Sequence, residues 1–140
     1  MDTKKTNNSK KVIIDTNFLL LPGQFKFDIF EEIQKVMNHK YELFIVDMTL
    51  EELENIKNSK AKVKDKVAVN IAKELLEIKK IKKISTRAYD DKSVDDLLVK
   101  ISDENTIVCT NDKELKKRLL EKGIPIIEFM KKSYLRIKQK

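Results

Sequence analysis

Four carboxylates stand out when the chain is searched for residues that could do chemistry together. Asp15 ends the run VII in VIIDTN, Glu52 lies in TLEELENI, Asp95 in SVDDLL, and Asp112 follows TIVCT in CTND. Acids gathered at one place repel one another, and a divalent cation is the usual remedy. Hard cations take oxygen ligands, so Mg2+ or Mn2+ suits such a set, and its chemistry would be activation of water against a phosphodiester. Each acid also has a plainer reading. Asp15 could form an Asx turn leaving a strand, Asp112 a helix N-cap, Glu52 the second half of a capping box begun by Thr49, and Asp95 a favourable charge in a first helical turn. Singly, the plainer readings are stronger; together, the four acids point to one site.

Other chemistries need residues the chain lacks. With only Gly23 and Gly123 there is neither a phosphate-binding glycine loop nor a dinucleotide fingerprint, so no nucleotide cofactor is expected. His39 is the only histidine and sits in a loop beside Lys40, which leaves Ser-His-Asp and Cys-His sites without support. Cys109 lies within an apolar strand and reads as core; a single cysteine excludes an intramolecular disulfide and a zinc set. An aspartyl phosphotransferase using Asp15 as nucleophile would carry a second aspartate two positions on, where this chain has Asn17.

The elements that must position the acids follow from hydrophobic patterning. Strands are expected at Lys11–Asp15, Leu43–Val46, around Lys83–Thr86, at Thr106–Thr110 and at Ile124–Phe129. Between them, helical spacing predicts a helix through Ile29, Phe30, Ile33, Val36 and Met37, another opened by Thr49, and a longer one from about Ala61 to Lys80. The inner stripe of that longer helix is expected at Val67, Ile71, Leu75 and Ile78. Ser93 is placed to cap a helix through Val94, Leu98 and Ile101, and Asn111 or Asp112 one that ends at Lys122 before Gly123 and Pro125. Pro22 and Gly23 signal a loop. Strands alternating with helices predict a three-layer α/β/α sandwich around a mainly parallel sheet of about five strands. In such a sheet the strand C-termini share one rim, where ligands bind. Asp15 and Asp112 fall on that rim. With about 100° per helical residue, Glu52 and Glu54 border the inward face set by Leu50, Leu53 and Ile56 while Glu51 points nearly opposite, and Glu52 lies nearer the helix N-terminus and so the rim; on its own helix Asp95 is better placed than Asp96.

At 140 residues, 41% hydrophobic and 38% charged, the chain supports one core under a densely ionic surface. We expect a flexible N-terminal tail at 1–10, one domain at 11–135 and a basic C-terminal tail at 136–140. The net charge of +7 is concentrated in Lys57–Lys83 and Lys113–Lys140, which suggests a polyanion, RNA before a membrane surface. No apolar run approaches the ~20 residues of a membrane helix, and a cytoplasmic location is expected.

The ordered motifs VIIDTNFLL, TLEELENI, SVDDLL and TIVCTNDKELKKRLLEKGIPII resemble those of PIN domains, from about Lys11 to Leu135. The resemblance implies a compact α/β/α ribonuclease dependent on Mg2+ or Mn2+. It assigns Asp15, Glu52, Asp95 and Asp112 as catalytic acids, with Asp15, Asp95 and Asp112 as metal ligands and Asn17 and Thr110 as supporting polar groups. Glu51 and Asp96 are neighbours that could share those roles. The stretch DTNFLLLPGQFKFDIFEEI is more similar to PIN nucleases of small-subunit rRNA processing than to toxin-type members. The partners implied are RNA, a second copy of the chain, and an antitoxin or a ribosome-assembly factor. A non-catalytic RNA- or protein-binding PIN module is the alternative.

Overall fold

The computed structural model describes residues 9–91 and 93–140. Residues 1–8 of the expected N-terminal tail lie outside the described residues. Lys10, assigned to that tail, instead opens the first strand.

Val12, Ile13 and Ile14 are apolar in succession because β1 (Lys10–Ile14) is covered on both faces, as a central parallel strand must be. It pairs in parallel with β2 (Tyr41–Val46) on one side and β4 (Thr106–Cys109) on the other, with Ile14 level with Cys109. Beyond them lie β3 (Lys82–Ile84) beside β2 and β5 (Ile126–Met130) beside β4, also parallel. The order of these five strands is β3-β2-β1-β4-β5.

A sixth strand, β6 (Tyr134–Lys138), runs antiparallel to β5, so most of the expected basic tail at 136–140 is sheet rather than tail. Its YLRIK sequence alternates: Leu135 is buried and Ile137 half-buried, while Arg136 and Lys138 face water. Outward charges are a common protection for an edge strand, and here they disguised the period-2 pattern as a basic tail.

Seven helices connect the described strands. α1 (Thr16–Leu19), α2 (Leu21–Phe25) and α3 (Ile29–Val36) lead from β1 to β2, and α4 (Met48–Asn58) with α5 (Val63–Ile78) from β2 to β3. These pack on one face through Val12, Ile14, Ile45, Cys109 and Ile127. α6 (Val94–Ile101) and α7 (Lys113–Lys122) cover the other face, where Ile13, Val46, Val108 and Ile126 meet Val94, Leu98, Leu115 and Leu119. The expected three-layer sandwich is therefore present, and strict strand alternation divides its two cores.

Three local expectations are corrected. Pro22 and Gly23 occupy the first turns of α2 rather than a loop, and proline suits that position because it lacks an N–H. A Cβ on Gly23 would stand 2.6 Å from Ala68 Cα, so glycine permits the close contact between α2 and α5. The buried stripe of α5 is consequently Ala68, Val69 and Ala72, while Val67 and Ile78 face outward. Finally, Thr49 does not cap α4. Asp47 precedes that helix without a side-chain cap and instead accepts the Thr86 N–H at 3.1 Å, leaving Thr49 and Glu52 for other partners.

The chain moves from β1 toward β2 and β3, then returns across the sheet to β4 and β5. The reversal falls between β1 and β4, and the crevice beyond the C-terminal ends of such a strand pair is where doubly wound sheets bind ligands. Asp15 follows β1 there, and Thr110 to Asp112 follow β4.

Candidate active site

Asp15 is buried at the end of β1 and receives two hydrogen bonds. Its Oδ1 accepts the Thr16 N–H at 2.8 Å, and its Oδ2 accepts the Thr110 hydroxyl at 2.8 Å. The first bond caps α1, so the ordinary turn role is fulfilled as well. Burial pushes the Asp15 carboxyl from 3.8 to about 6; the bonds from Thr110 and Thr16 oppose that rise, while the charges of Asp95 and Glu52 add to it. Perturbation of this kind in a crevice is a mark of functional sites.

Glu52 enters from α4. The Thr16 hydroxyl donates to its Oε1 and lies 3.4 Å from the Thr49 hydroxyl, so the residue next to Asp15 also positions the second acid. Glu51 is exposed, as its place on the helix face suggested; Glu54, expected at the border of the inward face, is exposed too and pairs with Lys73.

Asp95 lies half-buried in the first turn of α6, which Ser93 caps by accepting the Asp96 N–H at 3.1 Å. Its carboxyl is raised by burial first, then by the charges of Asp112 and Glu52; Arg118 opposes and Asp96 adds. Asp96 behaves oppositely. Hydrogen bonds from Arg118, at 2.9 Å, and from Ser93 hold it below the usual carboxylate range.

Asp112 is the N-cap of α7, its Oδ1 accepting the Leu115 N–H at 2.9 Å. Its own N–H donates to the Thr110 hydroxyl oxygen at 3.1 Å, so one threonine ties Asp15 to Asp112. Asn111 fastens the same loop to β5, donating to the Phe129 carbonyl at 3.0 Å and accepting the Phe129 N–H at 2.7 Å. Asn17 is exposed and lines a groove of about 260 Å3 with Phe18, Leu21, Gln24, Asn111 and Asp112.

The four acids are thus close enough to perturb one another: Asp15 feels Asp95 and Glu52, and Asp95 feels Asp112 and Glu52. Among the described residues, no three of these side chains already meet as a finished ligand group. Three of the four are held by protein donors, Asp15 by Thr16 and Thr110, Glu52 by Thr16, Asp112 by α7. The donor set nevertheless fits a hard divalent cation in kind, because it is all oxygen and its raised carboxyls would be relieved by positive charge. Sequence reasoning missed Thr16, Thr49 and Arg118. Thr16 had a signal, its place between Asp15 and Asn17, but nothing local reveals that its hydroxyl reaches Glu52.

A doubly wound sheet with an acidic crevice at its switch point defines a class, and sequence comparison gives the family. The model of the PIN like domain matches residues 12–132, and the chain belongs to that family. It is similar to Ribonuclease VapC4 of Methanocaldococcus jannaschii, 40% identical over 129 residues, covering 91% of this chain and 95% of that protein. Ribonuclease VapC9 of Archaeoglobus fulgidus is 29% identical over 126 residues, covering 89% and 87% of the two chains. Among solved structures, the PIN domain endonuclease Utp24 superposes with a TM-score of 0.72 at 28% identity, covering 93% of this chain and 92% of its own. The resemblance read from the four motifs is borne out.

Proposed function

We propose that this chain is an endoribonuclease that hydrolyses phosphodiester bonds of single-stranded RNA with the help of Mg2+ or Mn2+. The observation that carries the reading is that Asp15 and Asp112 follow β1 and β4 at the sheet's switch point, tied through Thr110, with Asp15 raised to about 6 by burial and, beyond that, by the charges of Asp95 and Glu52. The similarity to two ribonucleases over most of the chain supports it.

Asp15, Asp95 and Asp112 would hold the cation, and Glu52 completes the acidic set. When bound, such an ion makes water a better nucleophile and stabilises charge on the phosphoryl oxygens. The chain's own residues do the positioning. Thr110 ties the Asp15 carboxylate to the backbone of Asp112, and Thr16 holds Glu52 toward Asp15. Asn17 and Thr110 are the supporting polar groups. A cleft of about 500 Å3 between α7 and β6 is lined by Lys113, Lys117, Lys138 and Lys140, and these cations would attract RNA backbone leading away from the acidic rim.

The ribonuclease relatives favour a toxin-type role, with an antitoxin as partner and the cytoplasm as its place of action, over rRNA processing. No helix among the described residues is long and apolar enough to cross a membrane. A non-catalytic RNA- or protein-binding PIN module is the second reading. The discriminating experiment incubates the protein with a single-stranded RNA oligonucleotide in Mg2+, in Mn2+ and in chelator. Cleavage that requires the metal supports the nuclease; binding without cleavage under every condition supports the module.

A further inference from the structure

Phe25 closes α2 with 39% of its surface exposed. The Nζ atoms of Lys64 and Lys132 stand 5.9 and 5.7 Å from its ring centroid. Phe129 supports it from within, its ring 5.5 Å away and tilted by 51°, and Phe27 in turn packs on Phe129 at 4.8 Å. The ring is therefore held from inside and flanked by cations.

Its position ties it to the acidic crevice. Phe129 lies near the C-terminal end of β5, on the same rim as Asp15 and Thr110 because β1, β4 and β5 are parallel. Asn111 grips the Phe129 backbone, so a continuous set of contacts runs from Asp112 through Asn111 and Phe129 to Phe25. The groove lined by Asn17, Gln24 and Asp112 lies between the crevice and α2.

We propose that Phe25 is a stacking platform for a base of the RNA flanking the cut, and that Lys64 and Lys132 take the phosphates beside that base. The proposal rests on the nuclease reading and adds a subsite to it. Magnitudes favour the exchange it requires. An exposed ammonium over a ring contributes about 0.5–1 kcal/mol, whereas a base stacked on an aromatic contributes about 1–3 kcal/mol, so the lysines can yield the ring face and keep their attraction to phosphate. Val63 and Val67 on α5 are also exposed, which makes a protein contact the competing occupant. Covering this patch with apolar protein would strip water from two ammonium groups without pairing them, a cost that RNA avoids.

The chain contains no tryptophan, so Phe25→Trp places a single reporter at the site. Titrating this variant, in chelator, with a single-stranded RNA oligonucleotide should quench its fluorescence saturably, and an abasic oligonucleotide of equal length should not. Under cleavage conditions Phe25→Ala should raise KM about tenfold to a hundredfold with kcat little changed, and Phe25→Tyr should restore KM. Lys64→Gln with Lys132→Gln, at exposed positions that leave the ring in place, should raise KM and flatten its dependence on salt. RNA that is bound and cut with no quenching and no change in KM overturns the stacking role and leaves the nuclease reading intact. So does an unchanged KM accompanied by altered self-association in Phe25→Ala, which would make the patch a protein contact. Wild-type protein that neither binds nor cuts the oligonucleotide overturns both.

Discussion

The Thr110 hydroxyl donates to Asp15 Oδ2 at 2.8 Å and accepts the N–H of Asp112 at 3.1 Å, joining two acids that lie nearly a hundred residues apart in the chain. This bond pair crosses the switch point of the sheet and sets the spacing of the candidate site.

Thr110→Val keeps the shape and removes the hydroxyl. It leaves a buried carboxylate oxygen without its donor, which costs about 1–3 kcal/mol. Because the lost bond held the Asp15 carboxyl down, the carboxyl should rise further. Urea unfolding checks the first effect, and an upward move of the acid limb of the pH–rate profile checks the second.

Asp15 also makes a stability prediction for metal-free protein. Its folded value of about 6 lies above the ordinary 3.8, so between these values the folded state binds more protons than the unfolded one. Stability from this group is therefore highest below about pH 4, falls as pH rises through that window, and is level above it. The full difference is at most roughly 3 kcal/mol. The unfolding free energies of wild type and Asp15→Asn in chelator, compared from pH 4 to 7.5, should diverge in the variant's favour as pH rises. Parallel curves would show that burial does not penalise the charged carboxyl.

The acidic doublets can be separated by neutral substitutions. Glu52→Gln and Asp95→Asn should each reduce cleavage by about a hundredfold or more, on the scale of general acid–base and charge-stabilising groups. Glu51→Gln and Asp96→Asn should stay near wild type, since Glu51 is exposed and Asp96 makes a surface pair with Arg118. Single-turnover rates on one oligonucleotide are the measurement.

The close approach of α2 to α5 gives a test of packing. Gly23→Ala would place a methyl 2.6 Å from the Ala68 backbone, forcing α2 outward at a cost of about 1–3 kcal/mol. A lowered midpoint in thermal unfolding is expected, together with weaker RNA binding if α2 carries Phe25 away from Phe129.

The hairpin between β5 and β6 trades stability for charge. Lys131 and Lys132 both adopt left-handed backbone, φ 51 and 54, where Asn-Gly is preferred. Lys131→Asn with Lys132→Gly should relieve roughly 1 kcal/mol per residue and raise the melting temperature by a few degrees. The same variant should bind RNA more weakly, because it removes an ammonium beside Phe25.

The parts of this molecule that sequence made readable were those set by local physics. VII before Asp15 announced a buried strand, Ser93 and the pair Asn111 or Asp112 announced helix starts, and Gly123 in left-handed conformation ends α7 as its type suggested. Helical geometry also pointed Glu51 outward, where the structure exposes it, while Glu52 meets the Thr16 hydroxyl. What failed depended on distant partners. The α5 stripe was misread because α2 approaches so closely that alanines, not branched residues, face it. The strand β6 was hidden by its outward charges, and the Thr49 cap was lost because Asp47 is drawn to Thr86. Thr16 is invisible as a link to Glu52 until α4 is packed against α1.

The central claim is that Asp15 heads an acidic site that supports RNA cleavage, and it is tested most directly by comparing wild type with Asp15→Asn on a single-stranded RNA oligonucleotide in Mg2+ or Mn2+. Cleavage by the wild type, its loss in the variant, and an unchanged circular dichroism spectrum are the predicted results. Equal cleavage by the two proteins would contradict the account.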